Sequence, residues 1–248
     1  YYNIHEPWIS ILLNDVRVSR VMVPKGRQKF CVFRNLNSNV VKRVRISKDT
    51  QAMKDDHGHF LSMDAIYTDG ELVPYIEREL KLEFIGDSIT SGEGLIGARK
   101  EEDWVSCFFD SVFHYGNLIA TKLNAEFRVI SQSGWGVISA WDNNPNTVIP
   151  SIYDLTCGSN VGEEGKKFGS LEPHDFASWQ PDYIIINLGT NDSGAFNNPE
   201  WVSADGAIRH KLRLTEAGKK HPDDLHRFEE GVIAFVKQVR KNNPKAMI

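Results

Sequence analysis

Residues 84–94 read Phe-Ile-Gly-Asp-Ser-Ile-Thr-Ser-Gly-Glu-Gly and place a hydroxyl residue directly after an apolar run. The run ends in Gly86-Asp87-Ser88, where glycine permits a tight turn. Many α/β enzymes carry a nucleophile at this place, at the carboxyl end of a buried strand. Taken alone, the stretch is better explained as an ordinary turn in which Asp87 or Ser88 caps the next helix. Ser88 becomes a candidate nucleophile if a second signal accompanies it.

A second polar turn follows an apolar run at residues 183–192, which read Tyr-Ile-Ile-Ile-Asn-Leu-Gly-Thr-Asn-Asp. This turn carries Asn191, whose side-chain amide can donate hydrogen bonds. Between the two stretches, Ser133-Gly134 forms a glycine turn after a further apolar run. Turn formation alone would explain either Gly134 or Asn191. Because the carboxyl ends of parallel strands meet at one edge of a sheet, the three turns together favour a site.

Together these stretches resemble the GDSL, or SGNH, hydrolase superfamily. Its first block surrounds Ser88, its second includes Gly134, and its third is the Gly-Thr-Asn-Asp of residues 189–192. The resemblance implies a serine esterase in which Ser88 is the nucleophile. It also implies that the oxyanion of the tetrahedral intermediate is bound by the backbone N–H groups of Ser88 and Gly134 and by the Asn191 amide.

The base that must take the serine proton is not found in this sequence. The resemblance implies an Asp-x-x-His in a C-terminal block, and none of the eight histidines lies in that context. Residues 245–248 look like the start of a further strand. We expect an internal piece of a longer protein that carries the base beyond Ile248, and a nearly inactive chain without it. A pseudoenzyme is the alternative; if these residues are active alone, His174 and His221 are the candidate bases.

The spacing of apolar residues predicts an α/β protein with two parts. Short β-type runs at 9–13, 16–23, 30–34 and 40–46 predict an antiparallel β-sandwich or jelly roll over residues 1–78. From Lys81 strands alternate with helices, which predicts a flavodoxin-like parallel sheet, incomplete at the C-terminus, over residues 79–248. We expect strands at 81–86, 126–131 and 183–188, and helices near 105–123 and 222–241.

A β-sandwich placed before the Gly-Asp-Ser strand is similar to carbohydrate esterase family 2, whose members remove acetyl groups from plant polysaccharides. The similarity extends to residues 46–50, 130–136 and 176–183. It implies an acetylated carbohydrate as substrate and an extracellular, secreted protein. Trp135, Trp141 and Trp201 lie in loops after strand ends, where flat aromatic faces can pack on sugar rings. Anchoring of long loops to the core is the other explanation for such tryptophans.

Two further functions stay open. A lipase or thioesterase would need a broad apolar acyl site, whereas the loops at 142–175 and 192–221 are polar and rich in glycine. That composition favours a small acyl group on a polar carrier. Without its base, the chain could instead be a non-catalytic carbohydrate-binding protein.

Composition argues against several other classes of protein. The net charge of −4 leaves no excess of Lys and Arg to meet phosphates, and no stretch has the length of a membrane span. Cys31, Cys107 and Cys157 lack metal-site spacing. We therefore expect no metal, no cofactor, no nucleic-acid partner and no membrane span, while the oligomeric state is not indicated.

Overall fold

The computed structural model describes residues 2–53, 55–100 and 104–248. Its first sheet is antiparallel, with strands β1 (Trp8–Leu13), β2 (Val16–Met22) and β3 (Val44–Lys48) in the order β2-β1-β3. Asn14 and Asp15 join β1 to β2 and both take positive φ angles, 51° and 67°. This backbone geometry suits a two-residue hairpin, and Asn and Asp tolerate it better than most residues.

The register of this sheet gives it a polar face and an apolar face. Arg17 on β2 and Arg45 on β3 are both paired with Leu12 on the central strand β1, so the side chains of the two arginines lie on the same face of the sheet. The polar face packs against residues 107–117 of the second part of the chain. Its contacts are Arg17 with Asp110, Arg45 Nη2 with Asn117 Oδ1 at 3.0 Å, and Ser47 Oγ with Ser111 Oγ at 2.7 Å.

The described part of residues 1–78 contains this one sheet, and the predicted strand at 30–34 is absent from it. Residues 40–43 are likewise not a strand, and β3 begins at Val44. The runs have β-type composition, but Phe30 and Val41 are exposed by 38% and 73% and none of the described strands pairs with them. A β-type run becomes a strand when a neighbouring edge or face buries its side chains. The sandwich, and the division at residues 78 and 79, stay predictions.

The second sheet is parallel, as predicted, and its three strand ends coincide. It contains β4 (Lys81–Gly86), β5 (Glu126–Ser131) and β6 (Tyr183–Asn187) in the order β5-β4-β6. Gly86, the last residue of the central strand, is in register with Ser131 on one side and Asn187 on the other. The loops that carry Ser88, Gly134 and Asn191 therefore all leave the sheet at the same edge.

Helices cover the two faces of this sheet. The described helices are α1 (Ser88–Ser91), α2 (Tyr115–Lys122), α3 (Glu163–Lys167), α4 (Thr190–Ala195) and α5 (Pro222–Asn242), with short 3₁₀ turns at Ser106–Phe108, Ile149–Ser151 and Phe176–Ser178. A two-stranded ribbon of β7 (Trp201–Val202) and β8 (Arg209–His210) lies between α4 and α5. Leu82 and Phe84 pack on the α2 side, while Ile85 packs with Phe235 and Val239 of α5.

The helix predicted near 105–123 is shorter than expected, because it begins only at Tyr115. Asp110 accepts hydrogen bonds from the backbone N–H groups of Val112 and Phe113, at 2.8 and 2.9 Å. Arg20 donates to the carbonyl oxygens of Cys107 and Phe109, at 3.0 and 2.8 Å. The local bonds of Asp110 and the tertiary bonds of Arg20 use polar groups that a continuous helix would need, so the apolar sequence pattern is overridden.

The last residues of the chain lie beside β6. Met247 forms a parallel bridge with Tyr183; its N–H donates to Asp182 O at 2.8 Å, and its carbonyl accepts from Ile184 N at 2.7 Å. These residues thus form an isolated parallel bridge beside β6, and the further strand predicted from residues 245–248 stays a prediction. None of the described helices is long and apolar enough to cross a membrane.

Candidate active site

Ser88 is the first residue of α1, two positions after the end of β4. Asp87 is the N-cap, and its Oδ1 accepts from Ile89 N at 3.1 Å. Gly86 has no space for a side chain, because a Cβ there would lie 1.9 Å from Thr90 Oγ1. The Ser88 side chain is partly exposed, and its hydroxyl makes no hydrogen bond with the described residues. The tight turn therefore leaves the hydroxyl available.

Asn191 lies in α4, in the turn that follows β6. Its Nδ2 donates to the carbonyl oxygen of Trp135 at 2.9 Å and to Asp87 Oδ2 at 3.4 Å. One partner adjoins Gly134 and the other adjoins Ser88. The amide thus joins all three turns, and its contact with Asp87 is long enough to be weak.

Gly134 occupies a position that requires glycine. Its φ of +78° is left-handed, and a Cβ there would lie 2.8 Å from Trp141 Cδ1. Its carbonyl accepts from Trp141 N at 3.0 Å. Within the described ranges its own N–H has no hydrogen-bond acceptor. Such an N–H can serve a ligand oxygen.

Asp192 holds the loop that follows Gly134, a role that the sequence analysis missed. It is 2% exposed and accepts from the backbone N–H groups of Val137, Ile138 and Ser139 at 2.8, 2.8 and 3.1 Å. Gly136 must be glycine here, because a Cβ would lie 2.3 Å from Asp192 Oδ2. The sequence feature that could have revealed this role is Asp192 itself, the final aspartate of the Gly-Thr-Asn-Asp turn.

Gln51, from the segment after β3, holds the other side of the same loop. Its Oε1 accepts from both Ser133 N and Ser133 Oγ, each at 3.0 Å. Beside it, Gln132 Nε2 donates to the carbonyl oxygen of Ala52 at 2.8 Å. These partners are about eighty positions apart in sequence, and no local pattern could have predicted their contact.

The carboxyl groups behind this site are buried. Desolvation raises the pKa of both Asp87 and Asp192, and backbone hydrogen bonds oppose the rise in each case. The neighbouring Asp192 charge adds to the rise in the pKa of Asp87. Burial thus disfavours the charged form of both carboxyl groups, whereas the backbone N–H groups that bond to them favour the charged form.

The three tryptophans differ in exposure. Trp135 is 6% exposed and packs in the core with Ile85 and Phe235, so its indole face offers little area to a sugar ring. Trp141 is 55% exposed and lies against Gly134. Trp201 is half-buried in β7, paired with His210. Trp141 therefore combines exposure with contact to the site.

The two histidines considered as bases are engaged elsewhere. His174 Nε2 contacts Arg128 Nη1 at 2.6 Å. The pKa of His174 is lowered, first by burial and second by the positive charge of Arg128. His221 is the N-cap of α5, where its Nδ1 accepts from Asp223 N at 3.3 Å. Among the residues described, no group of three or more His, Cys, Asp or Glu could hold a metal ion.

The chain is similar in sequence to known esterases, although no protein-family model matches it. An acetylxylan esterase/glucomannan deacetylase from Cellvibrio japonicus is 28% identical over 211 residues, 82% of this chain and 50% of that protein. The cellulase/esterase CelE of Acetivibrio thermocellus is 32% identical over 147 residues, 58% of this chain and 16% of that protein. The chain thus spans half or less of the length of these relatives.

Solved structures give the same picture at the level of the fold. An acetyl xylan esterase from the rumen bacterium Butyrivibrio proteoclasticus superposes with a TM-score of 0.91 at 37% identity, over 98% of this chain and 66% of that one. A family two carbohydrate esterase from Clostridium thermocellum, solved with cellohexaose, gives a TM-score of 0.71 at 23% identity, over 98% and 63%. At 23% identity, the similarity to the Clostridium thermocellum structure establishes the fold alone.

Proposed function

Because this chain belongs to the SGNH hydrolases of carbohydrate esterase family 2, we propose that its protein removes acetyl groups from a carbohydrate. The proposed reaction is acyl transfer from a sugar hydroxyl to Ser88, followed by hydrolysis of the acyl-enzyme. The observation that carries the proposal is the position of the Asn191 amide, bonded to Trp135 O beside Gly134 and to Asp87 beside Ser88.

In the proposed mechanism, Ser88 Oγ attacks the acetyl carbonyl carbon while a histidine takes the hydroxyl proton. The oxyanion accepts hydrogen bonds from Ser88 N, Gly134 N and Asn191 Nδ2. The Asn191 amide has two protons, and the one in the long 3.4 Å contact with Asp87 Oδ2 turns to the oxyanion. Collapse of the tetrahedral intermediate breaks the C–O bond to the sugar, and the histidine returns the proton to the departing sugar oxygen. Water then attacks the acetyl-serine by the reverse sequence and releases acetate. The histidine is expected from the Asp-x-x-His block that the family resemblance implies, while His174 Nε2 contacts Arg128 and His221 Nδ1 caps α5.

The proposed substrate is an acetylated carbohydrate. The exposed indole of Trp141 lies beside Gly134, where a sugar carrying the scissile ester would pack. Trp201 is a second candidate for sugar contact, whereas the buried position of Trp135 favours a core role. The polar loops at 142–175 and 192–221 suit a polar carrier better than a long acyl chain.

The first prediction concerns the reaction and is tested on the full-length protein. We expect rapid hydrolysis of acetylated xylan oligosaccharides and of a chromogenic acetyl ester, and slow hydrolysis of long-chain esters. Ser88→Ala should abolish turnover. Asn191→Ala should lower kcat by roughly 10²–10³-fold, because one oxyanion donor is lost. Asn39→Ala, which truncates an exposed asparagine in the first part of the chain, is the matched control and should match the wild type.

Three outcomes would redirect the assignment. Equal rates on acetyl and long-chain esters would indicate a lipase or thioesterase. Binding of xylan oligosaccharides without turnover would indicate a carbohydrate-binding protein. Full activity in Asn191→Ala would remove the amide from the oxyanion site.

A further inference from the structure

We propose that Gln51 is a positioning residue for the Gly134 N–H, so that the antiparallel sheet takes part in building the oxyanion site. This inference rests on the proposed function, because it concerns the same site. Gln51 lies outside the parallel sheet and its loops, in the segment that follows β3. Its Oε1 accepts two hydrogen bonds from Ser133, the residue directly before Gly134.

The direction of the Gly134 N–H depends on what holds the chain on each side of it. That N–H belongs to the rigid peptide plane between Ser133 and Gly134. Before the plane, Ser133 N is fixed by Gln51 Oε1 at 3.0 Å. After it, the Gly134 carbonyl is fixed by Trp141 N at 3.0 Å. Since glycine at φ +78° has few steric limits, loss of one anchor allows the plane to rotate.

Gln51 can act as an anchor because its own backbone is held by the antiparallel sheet. Thr50 Oγ1 accepts from Trp8 N at 3.1 Å, and Asp49 Oδ2 accepts from Ser10 Oγ at 2.8 Å. Thr50 and Asp49 are 1% and 3% exposed. Lys48 Nζ also donates to the Gln51 carbonyl at 3.1 Å. The support for Ser133 thus continues into β1.

A misplaced oxyanion donor weakens binding of the transition state more than binding of the substrate. We therefore expect kcat and kcat/KM to fall together, with KM nearly unchanged. A displacement of about 1 Å at a reacting site reduces the rate by about 10²-fold. Because Trp141 and Asn191 still hold the far side of the loop, we expect roughly a tenfold fall in kcat for Gln51→Leu.

The experiment compares three variants of the full-length protein. Gln51→Leu keeps the approximate volume and removes the acceptor, whereas Gln51→Glu keeps an oxygen at the end of the side chain. Gln28→Leu makes the same chemical change at an exposed residue that bonds to the Lys25 carbonyl. For each variant we would measure kcat and KM on an acetyl ester, and amide hydrogen exchange of residues 130–137 by mass spectrometry.

We expect Gln51→Leu to lower kcat and to speed exchange across Ser133–Gly134, with Gln51→Glu restoring most of both and Gln28→Leu changing neither. Wild-type kcat and exchange in Gln51→Leu would overturn the inference while leaving the esterase proposal intact. An inactive wild type would contradict the proposed function instead. In that case the exchange measurement still decides whether Gln51 holds the loop.

Discussion

At the scale of single residues, Asp192 is the best example of a side chain that shapes the site without forming part of it. Its Oδ1 accepts from Ile138 N and Ser139 N, and its Oδ2 accepts from Val137 N. The adjacent Asn191 bonds to Trp135 O, two residues before Val137. The glycine turn after β5 and the turn after β6 are thereby joined into one unit.

We predict that Asp192→Asn destabilises the protein, although it barely alters the volume of the side chain. An amide NH₂ would replace one carboxylate oxygen and face a buried N–H donor that no longer has an acceptor. Each buried group left unpaired costs about 1–3 kcal/mol, measurable as a lower free energy of unfolding in urea. Asp205→Asn, at an exposed carboxylate that accepts from Ser203 Oγ and Ala207 N, is the control. Equal stability of the two variants would show that Asp192 does not hold the loop.

At the scale of elements, the central strand β4 carries a buried carboxyl group that its apolar neighbours do not explain. Glu83 is 0% exposed, and its Oε1 accepts from the Tyr153 hydroxyl at 2.8 Å. That hydroxyl in turn accepts from Asn243 Nδ2 at 2.7 Å, at the end of α5. Glu83 Oε2 has no hydrogen-bond donor among the described residues. Burial raises the pKa of Glu83, with the Tyr153 bond and the Arg128 charge opposing the rise.

This raised pKa leads to a prediction about pH. A carboxyl group whose pKa is higher in the folded than in the unfolded state contributes stability at low pH, and that contribution is lost as pH rises through the folded pKa. Relative to Glu83→Gln, the wild type should therefore lose stability as pH rises above the ordinary glutamate pKa of 4.5. Thermal unfolding of both proteins between pH 4 and 8 measures the difference. Glu79→Gln, at an exposed site, is the control and should show no such trend. The same dependence of stability on pH in the wild type and in Glu83→Gln would contradict the prediction.

The same scale shows what the sequence could predict. Strands β4, β5 and β6 and helix α5 were predicted to within a residue or two, because apolar periodicity and end signals such as Pro222 are local. The helix near 105–123 was wrong in its first half, because Arg20, which is distant in sequence, and the local side chain of Asp110 bind the backbone groups there. The turns of the candidate site were found from local motifs, whereas Gln51 became visible only after folding.

At the scale of the whole molecule, the antiparallel sheet and the parallel sheet meet through buried polar contacts. Asp49 has a fully buried carboxylate that accepts from Ser10 Oγ, from Arg20 Nε at 2.9 Å and from Ser111 Oγ at 2.6 Å. Ser10 and Arg20 belong to the first sheet, while Ser111 precedes α2. Polar groups buried at such a contact require their partners. Separating the two sheets would take from Asp49 its bond with Ser111, and from Arg20 its bonds with the carbonyl oxygens of Cys107 and Phe109.

We predict that the two sheets unfold together, and that Asp49→Ala lowers the stability of both. Removing one partner of a buried ion pair costs about 3–5 kcal/mol, because the remaining charge stays buried without compensation. Thermal unfolding followed by far-ultraviolet circular dichroism and by tryptophan fluorescence should show one transition, displaced equally by both probes. Asp64→Ala removes the carboxylate of an exposed pair with Arg27 and should leave the midpoint almost unchanged, since exposed pairs contribute little. Two separate transitions, of which Asp49→Ala displaces one, would show instead that residues 1–78 fold as an independent domain.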